Sequence, residues 1–557
     1  MALSKCYCKP NSLMPALIHW LFVIRLITAT CNAQSTATVT VSIDGSTTIA
    51  KVDPNFICAT LDLWPPEKCD YGTCSWGSSS LLNLDLTNQL FQNAVRGLSS
   101  LLRLGGTLQD KLYYQVGNSQ NPCLPFVTQS SLFGFSDGCL SMSRWDALNK
   151  FFQLTRAPIT FGLNALYGRE TNSAQSWDSS NARNFIQYTA DKGYQILAWE
   201  LGNELSGSGV GTSVPVSQYA TDVKTLRGIV DEIYAGWNSK PLVVAPDGFL
   251  DWNWYQQLLQ GTGQNVIDAI TCHIYDLGSG ANTDLVNEIL NPSYLSQEES
   301  LFQSIKQLLQ TSGPWAQGWI GEAGGAYNSG QHLVTDAFVF NFWYVDQLGK
   351  AAKHGIKVYC RQSLIGGNYG LLDLSTFQPN PNYFSALLWK KHMGTDVLSA
   401  TVQGASYLRV YAHCSQGDAQ SVTVVLLNLS QITQYTVNLI LSDASQGHVN
   451  LTASQSDAKP STNAQGDHYQ GKMDPNMKIS AMTQRLEYHL TALNGDLHSQ
   501  SVLLNGKLLQ FTANNDLPEL SAVAATASDP LVVDPISVVF VKLVGVSASA
   551  CTQAAGA

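Results

Sequence analysis

Charge is scarce in this sequence. Asp, Glu, Lys and Arg supply 13% of its 557 residues, and 31 basic residues face 41 acidic ones, a formal net charge of -10. Binding nucleic acid requires a basic face, and no stretch forms one, so no nucleic-acid partner is expected. No cysteine–histidine spacing resembles a zinc site, so neither a metal nor a cofactor is expected. Beyond residue 33 no segment is apolar over the roughly 20 residues that a membrane-spanning helix needs, and membrane association is not predicted. The chain also lacks internal repeats. What it has is a hydrophobic content of 45%, which reads as globular. Its length exceeds the size at which one hydrophobic core stops growing, so more than one domain is expected.

The first 33 residues have the pattern of a signal peptide. Lys5 and Lys9 precede an apolar run from Leu13 to Ile27, and Cys31 and Ala33 suit cleavage before Gln34. Arg25 interrupts the run, which disfavours an uncleaved anchor. Export to the extracellular space or cell wall, or to a vacuole, is the expectation. Of twelve cysteines, Cys6, Cys8 and Cys31 would leave with the signal, and the nine that remain are odd in number. At least one is therefore free or pairs with another chain. Cys69 with Cys74, Cys123 with Cys139 and Cys414 with Cys551 are candidate bridges in an oxidising compartment. Asn428 and Asn450 open glycosylation sequons, a weak signal because such triplets arise by chance.

Eight short apolar runs punctuate residues 56–395: ICATLDL, LLRLGG, ITFGLNA, ILAWELGNE, LVVAPD, AITCHIY, GWIGEA and KVYCRQ. Continuous runs of this kind suit parallel strands buried on both faces. The stretches between them, such as VSQYATDVKTLRGIVDEIYAGW and HLVTDAFVFNFWYVDQLGKAAKHG, place apolar residues at helical spacing. Eight βα units in a row favour a (β/α)8 TIM barrel. A doubly wound sheet would more often carry a Gly-rich phosphate loop after its first strand, and ICATLDLWPPEKC has none. From 396 to 557 the texture turns β-rich, with turn residues such as Asn494-Gly495, and an antiparallel β-sandwich is expected. Residues 34–55 carry a strand, TATVTVSI, expected to join that sandwich. DAKPSTNAQGDHYQGK reads as a long loop.

Reactive groups in a parallel barrel sit at the C-terminal ends of its strands. Glu204 closes the fourth expected strand in AWELGNE, and Glu322 closes the seventh in GWIGEAGG. Carboxylates brought together across a barrel mouth are what a retaining glycosidase needs, roughly 5–5.5 Å apart. One donates a proton to the leaving oxygen while the other attacks the anomeric carbon. Glu200 lies on the same side of the strand but deeper, and reads as a buried structural glutamate.

The Asn-Glu pair after the fourth strand and the glutamate after the seventh resemble the clan of (β/α)8 retaining glycosidases. The ordered set LLRLGGT, FGLNALYGRE, AWELGNE, TCHIY, WIGEAGGAYNSG and GIKVYCRQSLIGGNYGLLD is similar to glycoside hydrolase family 79, the heparanase-like β-glucuronidases, and to their plant secreted branch. That resemblance implies Glu204 as acid/base and Glu322 as nucleophile. It implies that Asn203 binds the sugar 2-hydroxyl and that Asp62 and Thr107 touch the sugar. A uronic carboxylate would be held by Tyr369 and by backbone N–H groups around Asn328, Ser329 and Gly330; a glycine-bearing turn and a phenol can supply such donors. Tyr369 can equally be a core aromatic. Tyr275 is expected to orient Glu322, while His273 reads as a buried, satisfied histidine. Arg103 and Arg361 suit either a carboxylate partner or structural ion pairing.

The resemblance has a gap. Cleavage of sulfated heparan calls for a cleft lined by Lys and Arg, yet LSGSGVGTSV and APDGFLDWNWYQQ hold no basic residue. Tryptophans in the second suit stacking on a sugar or an aromatic aglycone. The expected substrates are a carbohydrate or glucuronide without sulfate, such as arabinogalactan side chains or phenolic glucuronides. A glycosidase for a neutral sugar and a non-catalytic carbohydrate-binding wall protein are the alternatives. The sequence leaves the oligomeric state open.

Overall fold

The computed structural model describes residues 35–117, 122–169, 174–443, 447–451, 478–479, 484–546 and 548–554. The signal-peptide pattern and the polar DAKPSTNAQGDHYQGK stretch lie outside the described residues. Strand β1 (Ser35–Lys51) comes first. Eight parallel strands then close a barrel: β2 (Ile57–Asp62), β3 (Leu101–Gly105), β4 (Ile159–Leu163), β5 (Ala198–Leu201), β6 (Leu242–Gly248), β7 (Ala269–Ile274), β8 (Gln317–Ala323) and β9 (Val358–Arg361). These are the eight apolar runs of the sequence, and β2 and β3 are buried at every position because side chains or helices cover both faces.

A helix follows each barrel strand. The eight are α1 (Gln89–Leu98), α2 (Met142–Thr155), α3 (Ser180–Asp191), α4 (Val216–Ile233), α5 (Trp252–Thr262), α6 (Glu299–Ser312), α7 (Phe340–Lys353) and α8 (Pro381–His392). Local chemistry sets their starts. Asn88 accepts a hydrogen bond from the Phe91 N–H at the head of α1, and Asp251 does the same for Trp254 at the head of α5. Helix α1 then buries Leu90, Phe91, Ala94, Val95 and Leu98, a stripe at helical spacing.

Helix α7 departs from the sequence expectation. It starts at Phe340, and Asn341 through Ala352 are all buried, although the pattern suggested one polar face. The outer face is covered by the C-terminal sheet: Tyr411 donates to Asp346 Oδ1 at 2.6 Å, and a Cβ on Gly349 would stand 2.3 Å from the Tyr411 ring. Lys350 lies 3.0 Å from Asp346, so the polar residues on that face are paired rather than solvated.

The sheet opens with β10 (Met393–Gln403) and continues through β11 (Leu408–Ser415), β12 (Asp418–Asn428), β13 (Thr433–Asp443), β14 (Gln484–Ala492) and β15 (Ser537–Val544). Strand β1 lies between β10, antiparallel, and β13, parallel, as the expected early strand of the sheet. The strands follow one hydrogen-bonded path that curls over its own core. In β12, Val422, Val424 and Leu426 enter that core while Val425 and Leu427 pack on the barrel, so both faces are buried with a period of two.

All three candidate disulfides are present, and a fourth joins Cys58 to Cys360, from the first barrel strand to the eighth. Cys272 is the free cysteine among the described residues. Asn428 is fully buried and its Nδ2 donates to the carbonyls of Thr433, Val533 and Asp534. A glycan on that nitrogen has neither the space nor the spare hydrogens.

Candidate active site

Arg103, on β3 inside the barrel, organises the site. Its Nε lies 3.0 Å from Glu200 Oε2, Nη1 is 2.8 Å from Glu322 Oε2, and Nη2 donates to Asn203 Oδ1 at 2.8 Å and to Asp247 Oδ2. Burial works against the charge on this guanidinium, but the carboxylates of Glu200, Glu322 and Asp62 outweigh it and hold its pKa above the ordinary value. Glu200 is wholly buried behind it, the structural glutamate that the sequence suggested. Arg361 has a different role. It donates to the carbonyls of Ala323, Gln362 and Thr335, with its guanidinium 4.7 Å from the centre of the Phe340 ring.

Backbone irregularities aim both candidate glutamates. Strand β8 slips register between Ile320 and Glu322, a bulge that turns Glu322 toward the mouth. The intervening Gly321 has no room for a side chain, since a Cβ there would lie 2.2 Å from Asp247 Oδ1. Strand β5 ends at Leu201, and Glu204 lies just beyond it with φ at 55°. A non-glycine residue there costs on the order of 1–3 kcal/mol, a strain often found where a side chain must be presented. The Glu204 N–H donates to the Asp247 carbonyl at 2.6 Å, which holds the turn.

Tyr275 donates to Glu322 Oε1 at 2.5 Å, so that carboxylate is gripped by a phenol on one oxygen and Arg103 on the other. His273 Nδ1 stands 3.0 Å from Glu204 Oε1. Its Nε2 lies 2.8 Å from Asp247 Oδ1, a close approach without hydrogen-bond alignment. Ligand atoms of Glu204, His273 and Glu322 all fall within 4.8 Å of one another. A divalent ion at that spot would sit against Arg103, and its ligands already hold one another or the guanidinium, so the donor set fits a carboxylate pair better than a metal.

A cavity of about 310 Å³ covers these groups. Of the residues expected there, Asp62, Thr107, Glu204, Tyr275, Glu322, Asn328, Ser329 and Tyr369 line it. Asn203 lies beneath, its N–H donated to Asp110 Oδ2 at 2.7 Å, and Gly330 faces a neighbouring depression. Asp62 ends β2 and accepts from Gln362 Nε2 at 2.8 Å. Burial first, then the charge of Glu322, pushes its carboxyl up to about 8. Gly106 must be glycine here, because at its φ of 93° a Cβ would lie 2.1 Å from Asp62 Oδ1. Asn328, Ser329 and Gly330 are left-handed in succession (φ 56°, 66° and 67°), a turn that presents consecutive peptide N–H groups. Tyr369 is 3% exposed and packs edge-on against Trp76, whose indole donates to Ser329 Oγ at 2.8 Å.

The sequence did not single out Trp64, Lys68, Asp70, Trp76, Phe249 and Gln362, which also line the cavity. Asp247 and Asp110 went unnoticed as supports. The loop WPPEKCDYGTCSWG carries four of the lining residues, and its paired tryptophans and close cysteines were the available signal.

Residues 38–349 match the model for the N-terminal domain of glycosyl hydrolase family 79. Heparanase-like protein 1 of Arabidopsis thaliana is 45% identical over 543 residues, 96% of this chain and 99% of that one. The baicalin-beta-D-glucuronidase of Scutellaria baicalensis is 38% identical over 91% of this chain and 93% of its own. Among solved structures, a 4-O-alpha-L-rhamnosyl-beta-D-glucuronidase from Fusarium oxysporum 12S superposes with a TM-score of 0.61. It covers 90% of this chain and 100% of its own at 14% identity, a likeness of fold.

Proposed function

The chain belongs to glycosyl hydrolase family 79, and from that premise we propose that it is a retaining β-glucuronidase releasing terminal glucuronic acid from unsulfated glycans or phenolic glucuronides. The observation that carries the reading is that one carboxylate oxygen of Glu204 and one of Glu322 lie within 4.8 Å of each other. Retention needs roughly 5–5.5 Å, whereas inversion leaves about 6.5–9.5 Å for a water. In the first step Glu204 donates its proton to the glycosidic oxygen as Glu322 attacks the anomeric carbon, forming a glycosyl ester. In the second, Glu204 takes a proton from water, which opens that ester and restores both residues. Tyr275 and Arg103 hold the attacking carboxylate in line, and His273 steadies the donor.

The glucuronide reading is supported by the left-handed turn at 328–330, by Tyr369 and by Lys68, the basic side chain among the cavity's lining residues. The depression beside Glu204 is also lined by Ser206, Gly207, Phe249, Asp251 and Trp252, with no base to meet a sulfate and, besides Glu204, a second acid to repel it. The relative that hydrolyses baicalin is, by its name, a β-D-glucuronidase, which supports a glucuronide as substrate here. Export through the secretory pathway to cell wall or vacuole is supported by four disulfides among the described residues. A mature N-terminus at Gln34 is the expected result of sequencing the exported protein.

A panel of aryl glycosides tests the reading. Aryl β-glucuronide should be hydrolysed faster than aryl β-glucoside or sulfated heparan, and Glu322→Gln should abolish turnover while ligand binding persists. Glu204→Gln should lower kcat by about 10²–10⁴ on substrates with poor leaving groups. A preference for the glucoside would move the substrate to a neutral sugar. Faster cleavage of sulfated heparan would overturn the aglycone argument.

A further inference from the structure

The cavity over the two glutamates is open on one side and walled on the other, and a short disulfide-closed loop builds the wall. The Cys69–Cys74 bond closes a ring in the loop after β2. Within it, Asp70 accepts from Ser329 Oγ and from Lys68 Nζ, the latter at 2.8 Å. The Tyr71 hydroxyl lies 2.6 Å from Ser279 Oγ and accepts from Asn328 Nδ2 at 3.2 Å. The loop after the first barrel strand is thus strapped across the mouth to the loops after the sixth and seventh.

Cavities lie on both faces of this strap. Inside is the 310 Å³ pocket, bounded by Asp70, Asn328 and Ser329; outside is a depression of about 570 Å³, bounded by Tyr71, Gly280 and Gly330. The two share no lining residue. On the opposite side the pocket runs into a depression of about 420 Å³, with Glu204 and Phe249 lining both. An acid must face the oxygen it protonates, so the leaving group occupies the Glu204 side. The strap therefore stands at the far end, where a glycan would continue past the reacting sugar.

We propose that this strap makes the enzyme exo-acting, and that Tyr71 determines the specificity by separating the sugar pocket from the outer depression. The proposal rests on Glu204 being the proton donor. Tyr71 is 51% exposed and packs in no core, so its ring acts as a barrier rather than as a structural prop. With it removed, the outer depression becomes the continuation of the groove, with room for a further sugar.

The test compares two substrates with one reacting sugar and one leaving group, the second bearing an extra sugar on the non-reducing side. Wild type should favour the terminal substrate by about 100-fold in kcat/KM. Tyr71→Ala should raise kcat/KM on the extended substrate about tenfold or more, with the terminal substrate changed by less than about threefold. Tyr71→Phe, which keeps the ring but loses both anchors of its hydroxyl, should give a smaller gain. Should Tyr71→Ala fail to fold, Ser279→Ala cuts the same anchor from the other loop, and a gain on the extended substrate is again expected.

Equal cleavage of both substrates by wild type overturns the proposal, as does an unchanged ratio in a folded variant. If glucuronides fail and another aryl glycoside is hydrolysed, the sugar assignment falls, and the ratio is then measured with that sugar in both arms. Absence of turnover on every glycoside overturns both readings.

Discussion

Asp62 shows how a single buried side chain can set a working pH range. At 2% exposure beside Glu322, it is held neutral up to about 8, so below that pH it can donate to a sugar hydroxyl. Raising the pH through that value ionises Asp62, removes the donor and sets a second negative charge against Glu322. The expected result is a fall of kcat/KM on the alkaline side near pH 8 that Asp62→Asn displaces upward; an unmoved limb would refute this role. Glu204 and Glu322 were legible in the sequence because each sits in a short motif at a strand end. Of the supports behind them, Tyr275 was read as orienting Glu322 and Arg103 as suited to a carboxylate partner, whereas Asp247 was not singled out. His273 and Asp247 are distant in the chain and meet only because β6 and β7 are neighbours. Asn428 shows the reverse, since a sequon readable in the sequence is sealed by three carbonyls.

At the scale of elements, the barrel was readable because a strand buried on both faces leaves a continuous apolar run. Glu322 at its bulge was placed at the right end of the right strand, although the slip at Gly321 that turns it inward leaves no mark in the pattern. The barrel was expected to close, but the disulfide across its seam was not readable. Cys58 and Cys360 are separated by 302 residues and are joined because β2 and β9 pair. Replacing both by serine should lower stability by about 2–4 kcal/mol, measured as a fall of the denaturant midpoint. No change would mean that the strand pairing alone closes the barrel. Helix α7 was legible as a helix, but its second buried face depends on a sheet that the chain supplies about sixty residues later.

For the whole molecule, burial of carboxyls makes stability depend on pH with a definite sign. Burial pushes Asp110 up to about 7, partly offset by N–H groups of Ala165 and Asn203, and it also raises Asp276 and Glu298. Between about pH 4 and 7 the folded chain keeps protons that the unfolded chain has released, so stability falls as pH rises through that window. Glu299 runs the other way: Lys353 and His354 overcome its burial and draw it down to about 2, stability that is lost as pH falls from about 4 toward 2. The thermal midpoint should therefore be higher near pH 5 than at pH 8; a midpoint rising steadily from 5 to 8 would contradict the balance. The sequence by itself determined what local chemistry encodes: eight apolar runs, helix caps, two motif-borne glutamates and candidate disulfides later found in the structure. Only the tertiary structure decided which distant groups meet, namely the Arg103 cluster, the Cys58–Cys360 closure and the strap from Tyr71 to Asn328 and Ser279. Periodicity and capping act over a few residues of chain. These contacts instead follow from strand order and loop reach, which appear once the barrel closes.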